Sequence, residues 1–235
     1  MKKGLGALAL TLVILGALDR DAAARVTIDR VVLDFGPGAT KSQDLILHND
    51  GDQREYVLVG PREIVGPGTP SAHAETSPDP GQLGLLVTPR KLVLDPGQRR
   101  VVRVVTVGPR PARDRIYRLH VRPVVGAIDS DAPVALKVLL AYDVLVIVRP
   151  DEAVARPHVE RRGRTLVFTN DGNTNALASP EPQCDERGGA CVVPQAVRVY
   201  AGSTQEVQLP HEGPATYTFT WLDQRDEVVV EPGGE

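Results

Sequence analysis

The side chains best suited to chemistry in this 235-residue chain are two cysteines and five histidines. Cys184 and Cys191 have six residues between them, while His48, His73, His120, His158 and His211 are scattered along the sequence. A redox-active or metal-binding pair would want CxxC spacing or clustered imidazoles, and neither occurs. In an oxidising compartment the same two cysteines are expected to form a local structural disulfide. Closing so short a loop restrains the unfolded chain by about 2–3 kcal/mol. GxSxG, HExxH, a P-loop and a strand–turn–helix GxGxxG are all missing from the sequence. Carboxylates are plentiful but fall mostly at turns, where aspartate does structural work. The initiator is the one methionine, which speaks against a Met-rich metal site. No catalytic residue, cofactor or metal is expected. A net charge of -3 also argues against a nucleic-acid partner, because phosphate binding needs a basic surface.

The N-terminus indicates the compartment. Lys2 and Lys3 precede an apolar run from Leu5 to Leu18, and Ala22-Ala23-Ala24 follows before Arg25. That order is the one found in a secretory signal peptide, assigned here to residues 1–24. The apolar run is too short to sit comfortably as a resident membrane helix, so no membrane insertion is expected. Beyond it, short segments rich in Val, Ile, Leu, Thr and Tyr are punctuated by 22 Gly and 20 Pro. Strands are predicted near 26–33, 43–48, 55–60, 84–87, 91–94, 100–107, 115–123 and 134–148. Further strands are predicted near 164–169, 175–178, 192–193, 196–200, 205–209, 215–221 and 227–230. This pattern points to an all-β sandwich class. An internal repeat, Leu45–Gly51 (LILHNDG) against Leu166–Gly172 (LVFTNDG), argues for two domains of one kind. The Gly, and the Asn or Asp, would supply the positive φ of a tight turn. Each half then carries a second turn, Asp95-Pro96-Gly97-Gln98 and Tyr200-Ala201-Gly202-Ser203. Pro150 cannot donate to a sheet ladder, which places a first domain at 25–149 and a second at 153–235. Residues 66–81, rich in Gly, Pro and Ser, read as a mobile loop.

The most informative segment is 134–148. Val134, Leu136, Val138, Leu140, Tyr142, Val144, Val146 and Val148 occupy every even position. Alternation along a strand would put them on one apolar face about 50 Å long, well beyond an ordinary strand. One reading is an exposed edge lent to an incomplete partner by β-augmentation. The other is a kinked central strand buried within its own domain.

Several segments together resemble the periplasmic pilus chaperones of the chaperone–usher system. They are Leu85–Gly97 (LLVTPRKLVLDPG), Arg100–Val104 (RVVRV), Ile116–Leu119 (IYRL), Val148-Arg149-Pro150 and Asn170–Asn173 (NDGN). The cysteine pair followed by Val199-Tyr200-Ala201-Gly202 is most similar to the alternate (alpha) branch, which serves colonisation-factor fimbriae and the common pilus. The resemblance implies two immunoglobulin-like β-sandwich domains arranged in an L. It implies fimbrial (pilin) subunits and an outer-membrane usher as partners. In such chaperones the long strand fills the groove of a pilin that lacks its last strand until the usher exchanges it.

The family's donor positions fall on Leu136, Val138 and Leu140, with Val134 as a fourth candidate. Each such side chain is worth about 1.5–3 kcal/mol when buried. Two positions depart from the family pattern. Where well-known members carry an Arg and a Lys that anchor the pilin's terminal carboxylate, this chain has Val32 and Leu145. Arg30, expected on the same face as Val32, and Arg118 or Arg122 are the candidate substitutes; the plainer alternative is that each is a solvated surface arginine. Arg149 resembles the family's buried interdomain arginine, with Asp114 and either Asp223 or Asp226 as expected acidic partners. A pilin or adhesin subunit, or a general periplasmic immunoglobulin-like module, is the competing function. A donor extension at the N-terminus would mark a pilin, whereas the apolar strand here lies mid-chain.

Overall fold

The computed structural model describes residues 26–124, 139–185 and 188–232. The segment read as a signal peptide, and Val134, Leu136 and Val138, lie outside the described residues. Among the described residues no helix is long and apolar enough to cross a membrane.

The first half contains β1 (Val26–Ile28), β2 (Val32–Phe35), β3 (Ser42–Asn49), β4 (Glu55–Val65), β5 (His73–Glu75), α1 (Pro80–Leu83), β6 (Leu85–Thr88), β7 (Lys91–Leu94), β8 (Arg99–Thr106), β9 (Arg115–Val124) and β10 (Tyr142–Val148). They form a four-stranded sheet ordered β1-β3-β8-β6 and a six-stranded sheet ordered β2-β10-β9-β4-β5, with β7 also paired to β4. Alternate residues of both sheets turn inward. Phe35, Leu45, Leu47, Leu94, Val102, Val104, Leu119, Val144 and Val146 are completely buried between them, as expected where two apolar faces exclude water.

The second half contains β11 (Pro157–Arg162), β12 (Thr165–Asn170), β13 (Ala176–Pro180), β14 (Gln183–Cys184), β15 (Cys191–Val192), β16 (Val197–Val199), β17 (Thr204–Gln208), β18 (Ala215–Trp221) and β19 (Gln224–Val230). Sheets β11-β12-β17 and β16-β13-β18-β19 enclose a smaller core. At its centre Phe168 meets Tyr217 and Phe219 edge-on, with ring centroids 5.0 and 6.1 Å apart. Cys184 and Cys191 are disulfide-bonded across the exposed β14–β15 ladder.

The repeated Asn-Asp-Gly segments play the same part in each half, though not the expected one. Neither Gly51 nor Gly172 adopts positive φ. Instead the buried Asn49 donates to the carbonyls of Gln53 and Leu94 and accepts from Gly51 N–H. Asn170 does likewise with Thr174, Val199 and Gly172. The positive φ belongs to the second turns, at Gly97 (+70°) and Gly202 (+72°), whose N–H groups donate to the Asn49 and Asn170 carbonyls.

Three other expectations are corrected. The strand at 26–33 breaks at Asp29–Val31, because Asp29 ties its own N–H and its carboxylate to Ile46 and turns the chain from one sheet to the other. Residues 66–81, read as a mobile loop, contain β5 and the start of α1. Finally, within the described part of the strand expected over 134–148, Tyr142–Val148 are ladder-paired and Leu139–Ala141 are not.

Candidate functional site

The outward face of the six-stranded sheet can be built row by row from its register. Val32 of β2 lies beside Leu145 of β10, which faces Arg118 of β9, which faces Arg62 of β4. The next row toward the free end holds Asp143, His120 and Gly60, and the one after it Arg122, Leu58 and Lys91. In the opposite direction come Asp34, Ile147, Ile116 and Ile64. Adjacent strands lie about 4.8 Å apart, so side chains within a row are neighbours.

Of the three candidate anchor arginines, only Arg118 falls in the row of Val32 and Leu145. Its Nη1 reaches the Asp143 carbonyl at 3.5 Å. Arg62, which the sequence reading missed, sits next to it and donates from Nη2 to Asp143 Oδ1 at 3.2 Å. The Arg62 Nε is buried without a hydrogen-bond partner. Arg122 is four residues further along β9 and exposed, opposite Leu58. Arg30 lies in the break between β1 and β2, so counting by twos from Val32 does not place it on that face. Its guanidinium pairs with Asp29 at 2.8 Å. Arg62 lies beyond the strand predicted near 55–60, which ends just before Pro61. The missing N–H of proline does not interrupt this ladder, however, and β4 continues to Val65.

The apolar stripe divides at Tyr142. Val144, Val146 and Val148 point into the sandwich, and Tyr142 packs against that core with its hydroxyl donating to the Val26 carbonyl at 2.8 Å. On the other face Leu145 and Ile147 are buried with Ile116 beneath Ile64 and Tyr200. This half of the segment is therefore the buried central strand of the second reading. Leu140, by contrast, is 50% exposed.

Arg149 follows directly after β10 and joins the two halves of the chain. It is 3% exposed. Its Nε and Nη2 grip Asp34 at 2.8 and 2.7 Å, and its Nη1 donates to Thr174 Oγ1 and to the Asn175 carbonyl. Asp114 lies 4.0 Å from Nη1 and accepts from Thr174 Oγ1 and from the Asn175 main-chain and side-chain amides. Burial pushes the Asp114 carboxyl above its ordinary range, although Asn175, Thr174 and Arg149 all pull it down. Burial likewise lowers Arg198, which donates to the Asn175 side chain at 2.6 Å. Asp223 and Asp226 are not partners of Arg149: both are on the exposed β18–β19 hairpin, and Asp34 takes the place expected for them. Finding Asp34 from sequence would have required knowing that β2 runs parallel to β10.

The backbone also connects the halves. Asp114 N–H donates to the Asn173 carbonyl at 3.0 Å, and Arg113 Nη1 donates to Ala201 at 3.3 Å. Across the same junction Gln205 donates to the Gly68 carbonyl.

No protein-family model matches the chain, and no curated protein matches it. Solved structures do. The Class 5 fimbriae chaperone CfaA aligns over 88% of this chain and 99% of its own, with a TM-score of 0.61 at 19% identity. The SafB chaperone of Salmonella enterica, solved in complex with the SafA pilin, aligns over 88% of this chain and 97% of that one (TM-score 0.60, 15% identity). Its fold is that of the pilus chaperones. CsuC of Acinetobacter baumannii, seen in a pre-assembly complex with the subunit CsuE, shares the fold over 88% of this chain and 98% of that one, with a TM-score of 0.59 and 14% identity. All three are described as chaperones.

Proposed function

We propose that this chain is a periplasmic chaperone that binds fimbrial subunits by donor-strand complementation and delivers them to an outer-membrane usher. The observation that carries the reading is the division of the apolar stripe: its C-terminal half is locked in the sandwich, and the even-numbered leucine just before it, Leu140, stands half in solvent. An apolar run that leaves the core of its own domain needs a partner to cover it. Val134, Leu136 and Val138 continue the same alternation and complete the proposed donor face. The chaperone fold supports the reading, as does the leader-like segment at 1–24 for export. We assign the chain to the alternate branch on the Cys184–Cys191 pair and the VYAG that follows it.

In this reading the subunit's terminal carboxylate is held by Arg118 with Arg62, since they occupy the row where Val32 and Leu145 replace a basic pair. Asp143 keeps the two guanidiniums extended until the carboxylate arrives.

Co-expression in the periplasm with the pilin encoded beside it, followed by affinity pull-down, tests the mechanism. Leu136→Asp combined with Leu140→Asp should abolish pilin capture. The free protein should still fold, with the half-exposed Leu140 contributing a change of only about 0.5 kcal/mol or less. Undiminished pilin recovery with the double variant would refute donor-strand complementation.

A further inference from the structure

We infer that a basic cleft between Lys91 and Arg122 is a docking site for an acidic polypeptide segment. The inference rests on the geometry of this cleft and not on the donor-strand reading.

The cleft exists because β4 is incompletely partnered. Along its outer edge β7 pairs with Glu55–Leu58 and β5 with Glu63–Val65. Between them, Val59 N–H donates to the Arg90 carbonyl and Arg90 Nε donates back to the Val59 carbonyl at 3.4 Å, with no strand paired there among the described residues. Gly60 forms the open floor, and a Cβ there would meet nothing within 4 Å. The resulting depression is about 420 Å³ and is lined by Leu58, Gly60, Arg90, Lys91, His120 and Arg122, together with Val59.

Its charge is one-sided. Four of the lining side chains are basic or can become so, and none is acidic. Asp143, in the same row as the lining residues His120 and Gly60, is already bonded by Arg62 and lies 3.9 Å from the ring Nδ1 of His120. That Nδ1 is buried without a hydrogen-bond partner. Lys91 and Arg122 make no ion pair among the described residues. A basic patch of this kind on a chain of net charge -3 creates a local field opposite in sign to the molecule as a whole, which draws anionic partners to this place.

The spacing favours a polypeptide over a small anion. Lys91 and Arg122 flank Leu58 in one row, two strand spacings or about 9.5 Å apart. A single phosphate held between the two cations would leave the half-buried Leu58 uncovered. An extended peptide with two acidic side chains on either side of an apolar one can pair with both cations and cover Leu58. A nucleic acid would need basic surface beyond the cleft, and the next row offers Asp143 instead.

Fluorescence anisotropy with a fluorescein-labelled peptide of Glu-Leu-Glu-Gly-Ser repeats, and with its Gln-for-Glu counterpart, tests this on the mature protein at low ionic strength. The acidic peptide should bind about tenfold or more tighter than the neutral one, and added salt should weaken it. Lys91→Glu with Arg122→Glu should weaken it by a similar factor, and Lys91→Gln with Arg122→Gln in the same direction with an unchanged thermal midpoint. Arg100→Glu, exposed at the start of β8 in the other sheet, should leave it within about twofold. Equal binding of the two peptides, or an equal loss from Arg100→Glu, would overturn the proposal. So would competition by inorganic phosphate at concentrations that match free glutamate, since that would mark a site for a single ion.

Discussion

Replacing Arg149 with methionine should unfold the chain at markedly lower denaturant concentration. Methionine retains most of the aliphatic packing but removes the charge and five hydrogen bonds, three to Asp34 and one each to Thr174 and Asn175. The side chain is 4% exposed, so solvent screens these bonds little. Truncating one partner of a buried pair costs about 3–5 kcal/mol, mostly because the remaining charge is left uncompensated. Here that charge is Asp114, also 4% exposed. Asp34 is 38% exposed and water takes over part of its pairing, so Asp34→Asn alone should cost only about 1–2 kcal/mol. We therefore expect Arg149→Met to cost about 3–4 kcal/mol. The Arg149→Met/Asp34→Asn pair should be less destabilised than the sum of the single changes by about 1 kcal/mol or more. Urea denaturation followed by tryptophan fluorescence (Trp221 is the single reporter, in the second half) and by circular dichroism gives both numbers. A loss below about 1 kcal/mol for Arg149→Met would show that the two halves of the chain do not depend on this cation.

Gly172→Ala should destabilise by about 3 kcal/mol, because its Cβ would stand 2.1 Å from the Val154 carbonyl oxygen; Gly213→Ala, with nothing within 4 Å, should be near neutral, and thermal midpoints compare them. Asp114 gives a pH signature. Its folded-state pKa is raised above the ordinary 3.8 by burial, so the folded chain retains a proton that the unfolded chain has released. That contribution to stability is complete below 3.8 and is lost as pH rises through the folded-state pKa. The thermal midpoint of the wild type minus that of Asp114→Asn should therefore fall as pH increases from acid toward neutral, and a difference that stays level would contradict it.

Much of the fold was written locally. The alternation of small apolar strands and Gly/Pro turns is a property of neighbouring residues, and it sufficed for an all-β chain with two similar sandwiches. The Asn49 and Asn170 turns were visible as a repeat, and so was the cysteine pair. Their mechanism was not. Whether a turn is held by positive φ or by a buried asparagine side chain depends on the carbonyls of Leu94 and Val199, which are distant in sequence. Context overrides composition where β4 runs on through Pro61, past the strand predicted near 55–60, and in the segment that contains β5 and the start of α1.

What tertiary structure alone decided is which strands lie side by side. Alternation determines which residues share a face of one strand, but not which neighbour supplies the next side chain in a row. The parallel pairing of β2 with β10 brings Asp34 to Arg149 in place of Asp223, and the β4–β9 register sets Arg62 beside Arg118 while leaving Arg122 over a different cleft. Periodicity is a property of the local backbone, whereas electrostatic partners are chosen by long-range register, and a one-residue slip in that register would change every pair described here.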